Sequence, residues 1–147
     1  GKVLNKDISF PPDIGIIIEK PELLPYLSGL ENLKLLAEIR NIISYDDIKH
    51  YMDKFGLNFN SKQIVKKYSL GMKQKLGIIQ AIMEDPSLLL LDEPFNALDA
   101  ESVDILRSIL LQYKEQGKLI ILTSHHQEDI MSVCNQVIHL QDGCILN

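Results

Sequence analysis

The stretch LLLLDEPFNALD, residues 88 to 99, holds the densest chemistry in the chain. Four leucines suit a strand buried on both faces, yet they run straight into Asp92, Glu93 and Pro94. Buried acids are costly unless something pairs with them or they line a site. Consecutive side chains leave a strand on opposite sides. At a strand end, one carboxylate of such a pair can hold a hydrated divalent cation while the other addresses a water molecule.

Other residues could complete that chemistry. Thr123, Ser124 and His125 follow the apolar run Leu119–Leu122, and Glu19 follows the run Ile14–Ile18. In open parallel sheets, ligands gather at the carboxyl ends of the strands. Ser69 and Gly71, in YSLGMKQKL, open a helix with a hydroxyl and bare amides, which suit an anionic phosphate. Taken singly, these are ordinary features: an N-cap serine, a surface histidine, a strand ending in solvated acids. Their order and spacing make the signal specific. Nucleotide hydrolysis needs a metal ligand, a group that polarises water and a sensor of the γ-phosphate.

The elements that must position these residues are legible in outline. Ile14–Ile18 reads as a short core strand after a weak strand and proline-rich turn over residues 1–13. Ser28 with Glu31, and Ser44 with Asp47, form capping boxes that open two helices, the second running through Phe55 and ended by Gly56. Met72, Leu76, Ile79 and Met83 form one helical stripe, which Asp85-Pro86 stops. Leu88–Leu91 and Leu119–Leu122 read as buried strands. Between them Asp99 caps a helix with the apolar face Val103, Leu106, Leu110 and Tyr113, closed by Gly117. Ser124 with Gln127 is a third candidate capping box. Val137–Leu140 is a last strand, turning at Asp142-Gly143. Strand and helix alternating in this way predict an α/β fold with a parallel sheet covered by helices on both faces. Residues 28 to about 67 show helices without a strand signal and read as a separate lobe.

Composition narrows the function classes. The 147 residues suffice for one domain with a sizeable core. The net charge of −5 gives no basic stripe, so no nucleic-acid partner is expected. Cys134 and Cys144 lack metal-type spacing and read as reduced core residues. The apolar runs fall far short of the ~18 residues a membrane span needs. A cytoplasmic location is expected, with docking on a membrane protein still open.

On these residues the chain resembles the nucleotide-binding domain of ABC transporters over nearly its whole length. YSLGMKQKL is similar to the family's signature loop, LLLLDEP to its Walker B strand, NALD to its D-loop and TSHHQED to its switch-histidine segment. IGIIIEKPELLPYLSGLENL is similar to the Q-loop region leading into a helical subdomain. The resemblance implies a P-loop NTPase-like (RecA-like) core with an inserted all-α subdomain. Residues 1–27 would hold a core strand and the Q-loop-like segment, 28–84 the helical subdomain with the signature helix, and 85–147 the other half of the core. By position, Asp92 would organise Mg²⁺, joined by Glu19, and Glu93 would be the general base. His125 would contact the γ-phosphate of ATP. Asp99 would cross a dimer interface, and Ser69 and Gly71 would bind ATP held by a second nucleotide-binding domain. A transmembrane transporter subunit would be the other partner, which places the chain on the cytoplasmic face of the membrane. His126 is given no role and is expected to face solvent.

Three departures qualify this. Leu70 and Met72 stand where Gly and Gln are usual in the signature, and Glu19 stands where the Q-loop has glutamine. These forms resemble the bacitracin-resistance and lantibiotic-immunity branch of the exporters. No G-x-x-x-x-G-K-[ST] loop occurs in the 147 residues; that loop cradles the β- and γ-phosphates. The reading therefore expects a truncated part of a larger ATPase domain, its P-loop strand missing, and inactive alone. That strand's place, between Leu119–Leu122 and Val137–Leu140, would become either a gap or a new pairing of those two strands. The alternative is a non-catalytic module docking on a transmembrane partner through PELLPYL. An SMC- or Rad50-type ATPase is disfavoured, since no sustained heptad appears.

Overall fold

The computed structural model describes Pro11 and residues 13 to 146. The strand and turn expected over residues 1–13 fall almost wholly outside them. Along the chain run β1 (Ile14–Ile17), α1 (Gly29–Arg40), α2 (Tyr45–Lys54), a 3₁₀ turn (Val65–Lys67), α3 (Leu70–Ile82) and β2 (Leu88–Asp92). Then come α4 (Ala100–Glu115), β3 (Leu119–Thr123), α5 (Gln127–Val133), β4 (His139–Gln141) and β5 (Cys144–Leu146).

Local sequence sets the helix starts. Ser28 accepts from the Glu31 amide, and Glu31 reaches back to the Ser28 amide; Ser44 and Asp47 repeat this at α2. Both expected capping boxes form. Asp99 caps α4 by accepting from the Ser102 amide at 2.9 Å. The helix α3 stops earlier than Pro86 requires: its cap is Met83, and Asp85 turns left-handed at φ 54°. A residue before proline is pushed out of the helical region, and Asp85 leaves it by that turn.

The sheet is parallel, ordered β1-β2-β3. Register places Gly15, Ile17, Leu89, Leu91, Ile120 and Leu122 on one face. There α3 lies against β1 and α4 against β3. Gly15 interrupts its isoleucines for a steric reason: a Cβ there would sit 1.9 Å from the Ala81 carbonyl of α3. Leu33, Ile48, Met52, Leu76, Leu89, Leu106 and Leu110 join one continuous core linking the helices to the sheet.

Three expectations need correction. The strand β3 is not buried: Leu119 and Ile121 are 59% and 54% exposed. Leu88 and Leu90 on the same face are half-buried, so β2 is sealed on one side only. Among the described residues, α3 and α4 pack on the opposite face. The expected last strand does not join the parallel sheet either. Asp142 and Gly143 both take positive φ, 51° and 77°, the two-residue turn that pairs β4 with its neighbour β5. Among the described residues, β3 pairs with β2 alone, and the pairing of β3 with the last strand does not form. Both cysteines are free; Cys134 is half-buried, its thiol pushed up by burial, whereas Cys144 is exposed and no core residue.

Candidate functional site

The carboxyl ends of β1, β2 and β3 are tied together by one chain of hydrogen bonds. Asp92 and Thr123 are register partners. The Thr123 hydroxyl donates to Asp92 Oδ1 at 2.5 Å and accepts from the Glu93 amide at 3.1 Å. The Glu19 amide donates to Asp92 Oδ2 at 3.3 Å. Glu93 Oε2 then meets His125 Nδ1 at 2.9 Å. A carboxylate facing Nδ1 fixes the proton on that nitrogen and leaves Nε2 for another partner.

The backbone bends sharply to achieve this. Glu19 and Glu93 both take left-handed conformations, at φ 54° and 47°, and Ala97 follows at 60°. Such geometry costs a non-glycine residue about 1–3 kcal/mol and persists only when its surroundings over-determine it. At Glu93 it re-aims the side chain immediately after the strand ends.

One face of α3 supplies part of that constraint. Gly71, Gln74 and Lys75, spaced i, i+3 and i+4, all meet the loop from Glu93 to Asp99. Gln74 Nε2 donates to the Pro94 carbonyl at 3.2 Å and to the Glu93 carbonyl at 3.4 Å. Lys75 Nζ pairs with Asp99 Oδ2 at 2.6 Å. That hydrogen bond, with those from Ser102, holds the Asp99 carboxyl well below the usual carboxylate range. The Ala97 carbonyl lies 2.6 Å from where a Cβ on Gly71 would sit. Ser69 is the N-cap of α3, its hydroxyl accepting from the Met72 amide at 3.1 Å.

The sequence-predicted residues are thus joined unevenly. Asp92, Glu93 and His125 share one network, which Glu19 enters through its backbone. The Glu19 side chain is exposed and lines a groove of ≈ 600 Å³ formed by Ile16 to Glu22 with Gly77 and Gln80. Asp92, Glu93 and His125 do not line that groove. Asp99 pairs with Lys75 of α3 at the far end of the loop, and Gly71, within α3, meets the loop at Ala97. His126 is exposed, as expected, but its ring lies against that of His125 at 4.0 Å between centroids. The third capping box does not form: Ser124 Oγ accepts from the His126 amide, and α5 starts beyond it without a side-chain cap. Thr123 is expected only as one of the polar strand-end residues, without a partner, and Gln74 is not among the expected site residues. Helical spacing from Gly71 is the signal that points to Gln74, whereas the register of Thr123 with Asp92 shows only in the paired strands.

Among the described residues, no three His, Cys, Asp or Glu side chains converge to hold a metal ion by themselves. Mg²⁺ commonly takes one or two carboxylates and leaves its other positions to phosphate and water. The donor chemistry of Asp92 fits that partial role. The phosphate-gripping loop has no counterpart in the chain.

The family model described as ABC transporter matches residues 2–96. An uncharacterized ABC transporter ATP-binding protein of Bacillus subtilis, YybJ, is 51% identical over 97% of the chain and 66% of its own length. The bacitracin transport ATP-binding protein BcrA of Enterococcus faecalis is 37% identical over 88% of the chain and 42% of its own length. The lantibiotic transport ATP-binding protein SrtF of Streptococcus pyogenes is 36% identical, covering 90% and 58%. The chain thus spans between about two-fifths and two-thirds of these relatives. Among solved structures, the ATP binding subunit of an ABC transporter superposes with TM-score 0.79 at 27% identity, over 89% of this chain and 56% of that one. The ATP-binding cassette MJ0796, a dimer bound to ADP and Pi, gives 0.76 at 23% identity over 92% and 61%, a likeness of fold.

Proposed function

The chain belongs to the ABC transporter ATP-binding family, and from that premise we propose that it is the catalytic-carboxylate half of an ATPase site that energises export. The single observation that carries this reading is the linked set Glu19, Asp92, Thr123, Glu93 and His125 at three adjacent strand ends. Asp92 would hold a hydrated Mg²⁺, its orientation fixed by Thr123 and the Glu19 amide. Glu93 would accept a proton from the attacking water. His125, steadied on Glu93 through Nδ1, would donate from Nε2 to a phosphate oxygen in its doubly protonated, imidazolium form. Bound Mg²⁺ would supply charge neutralisation along the phosphates. Ser69 and Gly71 would face ATP held by a second copy of the domain, and Asp99 would lie at that interface.

Likeness to BcrA and SrtF supports an antimicrobial peptide or drug as the cargo, which a transmembrane subunit would move with this protein bound on its cytoplasmic side. With no phosphate-cradling loop in its 147 residues, the chain by itself is proposed to hydrolyse no ATP, the missing grip belonging to the intact parent. The test is ATP turnover. In the intact protein, Glu93→Gln is expected to cut turnover by about 10²–10⁴-fold while ATP binding persists. Wild-type turnover in that variant, or Glu93-dependent turnover by this chain alone, overturns the reading.

A second reading, a docking module without nucleotide chemistry, draws on the exposure of Leu24 and Tyr26, 53% and 74%, in the loop before α1. Leu24→Ala and Tyr26→Ala would then abolish binding to a transmembrane partner in the absence of any nucleotide, and Glu93→Gln would change nothing.

A further inference from the structure

We propose that Gln74 is a positioning residue for Glu93, its buried amide holding the backbone that carries the carboxylate facing His125. The inference rests on the ATPase reading above and adds to it a part for α3 within the same chain. Gln74 is 6% exposed on a helix whose neighbours Leu76, Ile78 and Ile79 are core residues. A buried amide is retained at a cost unless it is hydrogen-bonded. Both of its partners, the Glu93 and Pro94 carbonyls, are acceptors, so the side chain must present its nitrogen.

Those carbonyls frame the residue that most needs holding. Glu93 lies at φ 47°, a conformation that relaxes unless its surroundings fix it. The Glu93 carbonyl also accepts from the Asn96 amide at 3.2 Å, which closes the turn from within. Gln74 fixes the same turn from outside, against a rigid helix. One residue further on, Lys75 anchors the far end of the loop at Asp99. Between the two anchors the loop passes so near Gly71 that a Cβ there would lie 2.6 Å from the Ala97 carbonyl. Losing the Gln74 amide frees the near end, and the Glu93 carboxylate loses its fixed approach to His125 and to water. Because Gln74 itself touches neither, the consequence falls on kcat and leaves KM alone.

The experiment measures steady-state ATP hydrolysis and thermal melting of the intact protein carrying this chain. The variants are Gln74→Met, Gln74→Glu, Ile79→Val and Glu93→Gln. Methionine keeps the shape without a donor; glutamate keeps the shape but turns an acceptor toward two carbonyls. Both are expected to lower kcat by about tenfold to a hundredfold with KM within about twofold of wild type. They should also speed amide exchange at Asn96. Ile79→Val loosens the same helix in the core and should lower the melting temperature while leaving kcat unchanged. Wild-type kcat in Gln74→Met, beside an inactive Glu93→Gln, overturns the proposal and spares the ATPase reading. An equal loss of kcat in Ile79→Val also overturns it, since the effect is then general loosening. Full turnover in Glu93→Gln sinks the ATPase reading, and this inference with it.

Discussion

Gly71→Ala puts the contact between α3 and the Glu93–Asp99 loop to a test of sign. Gly71 is the second residue of α3. At a free helical position, replacing glycine by alanine stabilises by about 0.5–1 kcal/mol through the lost freedom of the unfolded chain. Here the new Cβ would lie 2.6 Å from the Ala97 carbonyl oxygen, about 0.8 Å inside ordinary contact at 3.4 Å. Neither partner is a flexible side chain. The carbonyl belongs to a residue at φ 60°, whose backbone has little room to retreat without breaking the turn. Overpacking of this kind costs about 1–3 kcal/mol, which outweighs the gain. The expected net change is a loss of about 0.5–2 kcal/mol, read as a lower midpoint in urea at unchanged slope. Because the carbonyl presses on the loop that ends at Asp99, amide exchange at Leu98 should quicken as well. A variant as stable as the parent, or more stable, would refute the close approach.

Two further outcomes follow from the caps and charges. Ser28→Ala removes an acceptor for the Glu31 amide and a donor to the Glu31 carboxylate in a buried corner; it should cost about 1 kcal/mol in denaturant unfolding, and an unchanged midpoint would show the box to be idle. The carboxyls of Asp99, Glu31 and Asp46 are all lowered, by hydrogen bonds from Lys75, Ser28 and Lys49 respectively. Groups depressed in the folded state add stability that is present above their unfolded values, near 4, and is lost as pH falls below them. The melting temperature should therefore hold from pH 7 to about 5 and fall steadily below 4. Asp99→Asn, which keeps a capping oxygen but not the pairing with Lys75, should lower it at pH 7 and flatten that fall; an identical pH profile would count against the pairing.

What could be read from the sequence was local. Serine three residues before an acid, and apolar residues at helical spacing, placed α1, α2, α3 and α4, because those signals act within one or two turns of chain. The polar residues at strand ends pointed to the site for the same reason. Burial of β3 was not legible, since an apolar run records which residues can be covered and not whether anything covers them. At α5 the expected box lost to a shorter-range bond: Ser124 accepts from His126 two residues on, so the helix begins without it. The two connections that organise the site join distant positions, Thr123 to Asp92 and Gln74 to backbone carbonyls. Carbonyls carry no side-chain signature, and register between strands appears only once they pair.

Why an all-leucine strand should end in two acids now has a physical answer. Neither acid enters the core: Asp92 and Glu93 are both half-buried, and the face of β2 that Asp92 shares is open. Asp92 stays in line with the strand and meets two donors, the Thr123 hydroxyl and the Glu19 amide. Glu93 abandons the strand for a left-handed turn, which brings its carboxylate to His125. Had Glu93 continued the extended backbone, the pleat would have sent its side chain toward the face covered by α3 and α4, where an unpaired charge is costly. The positive φ thus removes a carboxylate from the core side and delivers it to the strand-end cluster. The strain of that exit sits at Glu93, and α3, on the face the carboxylate avoids, bonds the turn's carbonyls through Gln74.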